Sequence, residues 1–173
     1  MRETLSDGDI SVRWVRNESM HLTLKFLGEV SEERLGVIGD SLRRIAVPRF
    51  GVTIREIGFF PNARSPRVFW AGVRSEALIQ LETEVEECMA ELGFGTSRRQ
   101  FSPHLTLARA RGRNRIGPKL VESARAFRHQ DFGYFETDRF ALYRSRLEPS
   151  GAVYTRLDEY VLGSDNPTSA GNS

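Results

Sequence analysis

The sequence contains little cysteine and lysine, and it has no long apolar segment. Cys88 is the only cysteine, which excludes a disulfide within the chain and leaves too few thiolates for a sulfur-based metal site. We interpret it as a helix-packing residue. Apolar runs fall short of the roughly 20 residues that cross a bilayer, and the polar stretch from Met1 to Asp9 lacks the apolar core of a signal peptide. These absences predict a cytoplasmic protein without a membrane partner.

Arginine supplies almost all of the positive charge, since Lys25 and Lys119 are the only lysines. The formal net charge of +2 does not by itself indicate a nucleic-acid partner. Four arginines nevertheless alternate with other residues in one short stretch, at Arg109, Arg111, Arg113 and Arg115. Such a cluster can steer phosphate groups, and it is equally compatible with a solvated loop in an arginine-rich protein.

One tetrapeptide, His-Leu-Thr-Leu, occurs twice, beginning at His21 and at His104. If each copy is a strand, the histidine and the threonine two positions later, Thr23 or Thr106, lie on the same face. Two imidazoles can take and give a proton near neutral pH, and two hydroxyls can hold an anion between them. This combination suits the cleavage of a phosphodiester. The third histidine, His129, lies at the end of a predicted helix, and we interpret it as structural.

Motifs for other chemistries are missing. The sequence contains no His-Glu-x-x-His pair and no paired cysteines, so we predict no metal site. It also lacks a Gly-x-Gly-x-x-Gly loop, a Walker-type lysine loop and a Gly-x-Ser-x-Gly turn. We therefore predict no cofactor, and any ligation would proceed without ATP.

Hydrophobic periodicity predicts an α+β fold of two similar lobes in a single domain, residues 1–163, followed by a disordered tail, residues 164–173. Helices are predicted after Ser31, Ser75 and Pro118. The predicted strands are 10–15, 20–27, 50–60, 67–73, 104–108, 132–135, 139–146 and 152–162. The first His-Leu-Thr-Leu copy is thus expected in the second strand, and the two strands flanking the Pro61–Pro66 loop are expected to form a hairpin.

The two His-Leu-Thr-Leu copies resemble the paired His-x-Thr-x motifs of the two-histidine (2H) phosphoesterases. Within that superfamily the chain looks most like the bacterial and archaeal RNA 2′,3′-cyclic phosphodiesterases, long called 2′-5′ RNA ligases. The resemblance continues through Val12-Arg-Trp-Val, Lys25-Phe-Leu-Gly-Glu-Val, Phe60-Pro-Asn, Pro66-Arg-Val-Phe-Trp-Ala-Gly-Val, Phe101-Ser-Pro, Leu142-Tyr-Arg-Ser-Arg-Leu and Gly151-Ala-Val-Tyr.

This resemblance implies two pseudo-symmetric lobes of antiparallel β-sheet with outer helices, and one histidine motif from each lobe at a central cleft. It implies metal-independent hydrolysis of an RNA 2′,3′-cyclic phosphate to a 2′-phosphate, with His21 and His104 as acid and base in an order that the sequence leaves open. Thr23, Thr106 and Arg109, the last in a His-x-Thr-x-x-Arg pattern, would bind the phosphate. Run backwards with a 5′-hydroxyl, the same site would form a 2′-5′ linkage. The implied partner is RNA rather than DNA, and the implied state is a monomer.

The beginning of the chain departs from the family pattern. Relatives usually open with an apolar strand and an amphipathic helix, whereas only a short polar segment precedes Val12 here. We therefore expect one sheet to expose an edge or an apolar face.

Two alternatives remain open at this point. One is an RNA-binding module without catalysis, although such a sheet ordinarily carries stacking aromatics where this one carries His and Thr. The other is a related two-histidine enzyme that acts on a small cyclic nucleotide or a 2′-5′ oligonucleotide.

Overall fold

A computed structural model describes residues 12–97, 99–148 and 151–163. It confirms the α+β prediction. The chain divides into two compact units, each assembled from three separate segments. Unit 1 comprises Met1–Thr23, Val52–Arg74 and Ser102–Phe135, and unit 2 comprises Leu24–Gly51, Ser75–Phe101 and Glu136–Ser173. The predicted tail, residues 164–173, lies outside the described residues, as does the start of the predicted strand 10–15.

Unit 1 contains nearly all of a five-stranded sheet with the strand order β1-β4-β3-β2-β5. Its strands are β1 (Val12–Trp14), β2 (Phe50–Phe60), β3 (Val68–Arg74), β4 (His104–Ala110) and β5 (Asp131–Thr137). Antiparallel pairing of β2 with β3 confirms the predicted hairpin. Strand β4 lies between β1 and β3 and is antiparallel to both, so the second motif occupies an interior strand.

A short helix, the third α-helix along the chain, covers one face of this sheet. This helix, α3 (Pro118–Ala124), continues into a 3₁₀ turn, Arg125–Phe127, and begins at proline as predicted. Its Leu120 and Ala124 pack with Phe69, which is fully buried, in the hydrophobic core of the unit. The opposite face of the sheet is therefore the one that can carry polar side chains.

Unit 2 combines two helices with a β-hairpin. The helices are α1 (Leu35–Arg43), preceded by the 3₁₀ turn Glu32–Arg34, and α2 (Glu76–Glu91), and the hairpin strands are β6 (Arg139–Glu148) and β7 (Gly151–Val161). Ile38, Met89 and Leu162 are fully or almost fully buried in its core. Among the described helices, none is long and apolar enough to cross a membrane.

The predicted helix starts are correct in position and differ in detail. Ser31 precedes the 3₁₀ turn and Ser75 precedes α2, but neither side chain makes a capping hydrogen bond. Gly93 follows α2 with φ of 83°, a left-handed conformation that favours glycine and ends the helix as predicted.

The prediction of a strand at 20–27 is wrong: the segment is not part of either sheet. A strand needs a neighbour for its backbone hydrogen bonds, and the edge of β4 nearest the first motif is already paired with β1. Side-chain contacts hold the segment instead. Lys25 donates to Glu86 at 2.5 Å and to the Gly95 carbonyl at 2.8 Å, and its side chain is almost fully buried.

The hairpin of unit 2 exposes several apolar side chains. Within the described residues its sheet has two strands, β6 and β7, and two strands cannot bury both of their faces. The exposed apolar residues of these strands are Tyr143, Leu147, Val153, Leu157 and Val161.

Two glycines provide a matched test of how Trp70 packs on the unit 1 sheet. A Cβ added at Gly58 would overlap the indole of Trp70 across the sheet, whereas one at Gly36 in α1 would meet nothing within 4 Å. We expect Gly58→Ala to lower the melting temperature, because a rigid ring must move, and Gly36→Ala to stabilise the protein by up to about 1 kcal/mol. Thermal unfolding of both variants tests this, and equal effects would contradict the Gly58–Trp70 contact.

Candidate active site

Strand β4 places His104 and Thr106 on the face of the unit 1 sheet that points away from the core. His104 lies opposite Gly72 of β3, and Thr106 lies opposite Trp70. The alternate residues Phe69 and Ala71 of β3 belong to the core. Because side chains alternate along a strand, His104 and Thr106 share the other face, which we call the site face.

A β-bulge brings Arg109 to the site face as well. Five positions separate it from His104, an odd spacing that would place the two side chains on opposite faces of a regular strand. In the pairing of β4 with β3, Leu107 has no partner. This extra residue reverses the alternation after it, so that Arg109 lies on the same face as His104 and Thr106. An Nη2 atom of Arg109 lies 3.5 Å from the Thr106 hydroxyl oxygen. The bulge therefore explains why the His-x-Thr-x-x-Arg pattern can form one site.

The first motif is attached to the same unit. Val15 continues the pairing of β1 by donating to the Leu107 carbonyl at 2.9 Å, a 3₁₀ turn follows at Asn17–Ser19, and Met20 packs against the core of unit 1. His21 comes next and is exposed. The boundary between the units falls after Thr23, so the division assigns both His-x-Thr pairs to unit 1 rather than one to each unit.

The two motif histidines have the same local hydrogen bond. Nδ1 of His21 lies 2.9 Å from the Ser19 carbonyl oxygen, and Nδ1 of His104 lies 2.7 Å from the Ser102 carbonyl oxygen. A carbonyl oxygen only accepts, so each Nδ1 must carry the proton. In the neutral ring Nε2 then has the lone pair, and both imidazoles are prepared to exchange a proton through Nε2.

The two histidines share this geometry because the sequence repeat is longer than the tetrapeptide. The repeat extends to Ser-x-His-Leu-Thr-Leu, beginning at Ser19 and at Ser102. In both copies the backbone of the serine, two residues before the histidine, provides the acceptor. The duplication therefore includes the group that orients the imidazole.

Aromatic rings surround His104 on the site face. The Phe60 ring meets it edge-on at 4.9 Å between centroids, and the Trp70 ring lies 6.5 Å away. Trp70 also packs against Phe60 at 5.2 Å, and Gly58 leaves room for its indole. These contacts restrict the orientation of the His104 ring in addition to its hydrogen bond.

Arg13 is a residue of the site face that the sequence analysis did not single out. It is the direct cross-strand partner of Arg109, while its neighbours Val12 and Trp14 pack into the core of unit 1. Directly opposite side chains in an antiparallel pair lie about 5 Å apart at Cβ. The register thus places a second arginine beside Arg109 in the sheet, and the alternation of Val12-Arg-Trp is the signal that could have identified it.

Two further reactive residues, Cys88 and His129, are not part of the two motifs. Cys88 packs against the core of unit 2, as predicted, and burial raises the pKa of its thiol, which keeps it protonated. His129 is exposed and follows the 3₁₀ turn after α3, and its charge helps to lower the pKa of Glu56, which Arg74 lowers most. The described residues contain no group of three or more His, Cys, Asp or Glu side chains that could hold a metal ion.

Paired His-x-Thr motifs with matched imidazole geometry on an α+β fold are the features of a two-histidine phosphoesterase. Comparison with known proteins identifies the family: residues 1–70 and 72–154 match the LigT like Phosphoesterase family. The chain belongs to this family.

Individual relatives agree with this assignment. The chain is 35% identical to the RNA 2′,3′-cyclic phosphodiesterase of Aeropyrum pernix, over 95% of this chain and 94% of that protein. A crystal structure of TT0787 from Thermus thermophilus is similar with a TM-score of 0.79 and 29% identity, covering 94% of this chain and 88% of the other. The crystal structure of E. coli LigT complexed with 3′-AMP gives a TM-score of 0.72 and 31% identity, covering 93% and 86%.

The hydrogen bonds of the two histidines lead to a prediction about their tautomers. Neutral His21 and His104 should both carry the proton on Nδ1, because each Nδ1 faces a carbonyl oxygen. Long-range ¹H–¹⁵N spectra of the imidazole rings at alkaline pH measure this directly, with exposed His129 as the internal reference. An Nε2-protonated form at either motif histidine would contradict the geometry.

Proposed function

We propose that this protein hydrolyses RNA ends that carry a 2′,3′-cyclic phosphate and leaves a 2′-phosphate. The observation that carries the proposal is the matched pair of imidazoles, each prepared to exchange a proton through Nε2 and each followed by a threonine. Arg109 beside Thr106 adds a positive charge for the phosphate. The names of the relatives support the same substrate class.

In the proposed reaction one neutral imidazole accepts a proton from water through Nε2 as the water oxygen attacks phosphorus. The bond from phosphorus to O3′ breaks, and the other imidazole, in its protonated form, donates a proton to O3′. Thr23, Thr106 and Arg109 hold the nonbridging oxygens, where negative charge accumulates. The products are a 2′-phosphomonoester and a 3′-hydroxyl. Sequence and geometry treat the two histidines alike, so their order stays open.

Ligation would use the same groups with a different nucleophile. A 5′-hydroxyl in place of water would give a 2′-5′ linkage without ATP, and hydrolysis dominates because water is far more concentrated. We further propose that the protein acts as a monomer, without a metal or cofactor, in the cytoplasm, and that RNA rather than DNA is its partner, since the reaction needs a 2′-oxygen.

A second candidate is a two-histidine enzyme for small nucleotides. The observation that favours it is the similarity to E. coli LigT, whose structure contains 3′-AMP. Comparing nucleoside 2′,3′-cyclic phosphates with oligonucleotides that have the same terminal nucleotide separates the two candidates.

The first test replaces each motif histidine by alanine. With EDTA present, His21→Ala and His104→Ala should each lower kcat by roughly 10²- to 10⁴-fold, because each removes a proton-transfer group. The protein should retain its affinity for RNA. His129→Ala is the matched control, since this histidine lies outside the proposed site, and it should keep full activity.

Hydrolysis of a short RNA with a 2′,3′-cyclic phosphate end, with the phosphate position assigned in the product, completes the test. Turnover that persists in both motif variants would refute the mechanism. If folded wild-type protein binds RNA but turns over neither the oligonucleotide nor nucleoside 2′,3′-cyclic phosphates, the alternative of a non-catalytic RNA-binding module is favoured.

The second test concerns Arg109. Lysine keeps the charge and loses the planar fork that can contact Thr106 and a phosphate oxygen together. We expect Arg109→Lys to lower kcat/KM by roughly 10- to 100-fold, from the loss of one charged hydrogen bond of about 1.5–3 kcal/mol. Arg125→Lys, in an exposed pair with Glu122, is the control and should have no effect. An equally active Arg109→Lys variant would show that charge alone suffices.

A further inference from the structure

Two arginine-rich connections lie side by side at one end of the unit 1 sheet. Residues 61–67 join β2 to β3, and residues 111–117 join β4 to α3. Backbone bonds tie them together: Ile116 donates to the Pro66 carbonyl at 2.8 Å, and Ala110 donates to the Arg67 carbonyl at 2.8 Å. We call this pair of connections the arginine end.

The arginine end carries only positive formal charge. Neither connection contains Asp or Glu. All of its arginines are exposed to solvent, and they are Arg64, Arg67, Arg111, Arg113 and Arg115. A concentration of like charge on one end of a sheet creates a field that attracts a polyanion.

Ion pairing distinguishes this end from much of the remaining surface. Seven arginines elsewhere in the described residues form ion pairs with carboxylates, and they are Arg43, Arg55, Arg74, Arg125, Arg139, Arg144 and Arg156. At the arginine end two side chains have structural roles: Arg67 donates to the Gly112 carbonyl and Arg111 to the Val12 carbonyl. Within the described residues, Arg113 and Arg115 have no hydrogen bond or ion pair from their side chains.

Strand β4 connects the arginine end to the candidate active site. His104 and Thr106 lie toward its start and Arg109 toward its end, beside Arg13 of β1, and residue 111 begins the connection. At about 3.3 Å per residue, the Cα atoms of His104 and Arg109 are at most about 16 Å apart along the strand. The basic surface therefore begins at the proposed phosphate site and continues beyond the reach of one nucleotide.

We propose that the arginine end binds the phosphates of the RNA chain upstream of its terminal cyclic phosphate, which directs the enzyme to polymeric RNA ends over nucleoside cyclic phosphates. This inference rests on the proposed function. A cyclic phosphodiester carries a single negative charge, which Arg109 can balance together with the threonines. The exposed cations beyond Arg109 attract further anions, and the backbone attached to the terminal nucleotide supplies phosphates at a fixed distance from the site. Arginine suits such contacts because its fork of donors matches phosphate oxygens.

The experiment removes two charges at the arginine end and two elsewhere. The test variant is Arg113→Gln/Arg115→Gln, because these two side chains form no hydrogen bond or ion pair with other residues that the structure describes. The control is Arg125→Gln/Arg128→Gln, which lowers the net charge equally and changes residues that follow α3, the helix on the core side of the sheet. Wild type and both variants are assayed on adenosine 2′,3′-cyclic phosphate and on a ten-nucleotide RNA with the same 3′-terminal cyclic nucleotide.

We expect the test variant to lower kcat/KM on the ten-nucleotide RNA by about 3- to 30-fold, mainly through KM, and to leave the mononucleotide unchanged. The dependence of log KM on log salt should become shallower by up to about 1.4, the value for two phosphate contacts to a single strand. The control variant should match wild type on both substrates. Equal losses in both variants, or a wild type without preference for the longer substrate, would overturn the proposal.

A binding measurement separates this proposal from the proposed function. Fluorescence anisotropy with a ten-nucleotide RNA that ends in a 3′-hydroxyl requires no turnover. If wild type fails to hydrolyse the cyclic phosphate but the test variant alone weakens binding, the proposed function is wrong and the arginine end still binds RNA. If hydrolysis proceeds and the three proteins bind and turn over the RNA equally, the arginine end has no role in substrate binding.

Discussion

Strand β4 contains one residue more than β3 can pair with, and this extra residue decides which side chains meet on the site face. His104 and Thr106 follow the ordinary alternation of a strand, and the bulge at Leu107 adds Arg109 to the same side. The pairing of β1 with β4 then places Arg13 beside Arg109. The core depends on the same registration, because Ala108 and Phe69 pair on the buried face. In a regular strand, Arg109 would lie on the buried face and Ala108 would lie on the site face.

The chemical equivalence of the two histidines comes from the backbone. Each imidazole faces a carbonyl oxygen two residues earlier in its own segment, although one histidine begins a strand and the other follows a turn. A local hydrogen bond can therefore reproduce one tautomer in two different secondary structures. His104 in addition has aromatic neighbours in Phe60 and Trp70, which restrict the orientation of its ring.

Arginine serves three purposes in this protein, and their surroundings separate them. Many arginines form ion pairs at the surface, where each contributes little to stability. Arg67 and Arg111 hold connections in place through backbone carbonyls. Arg109 lies against Thr106 on the site face, and Arg113 and Arg115 extend the same positive surface from the end of β4. Composition alone could not distinguish these groups, because all of them have the same residue type and similar exposure.

The sequence by itself determined the α+β class, the β2–β3 hairpin, the three helices and the importance of the duplicated motif, since periodicity, turn residues and repetition are local signals. It could not place residues 20–27, because a strand pattern becomes a strand only when a neighbour accepts its hydrogen bonds, and β1 holds that edge of β4. The role of Arg13 was likewise hidden until the register of β1 against β4 was known. Tertiary structure decided these features because pairing partners and bulges depend on residues far apart in the chain, whereas alternation and capping depend only on neighbours.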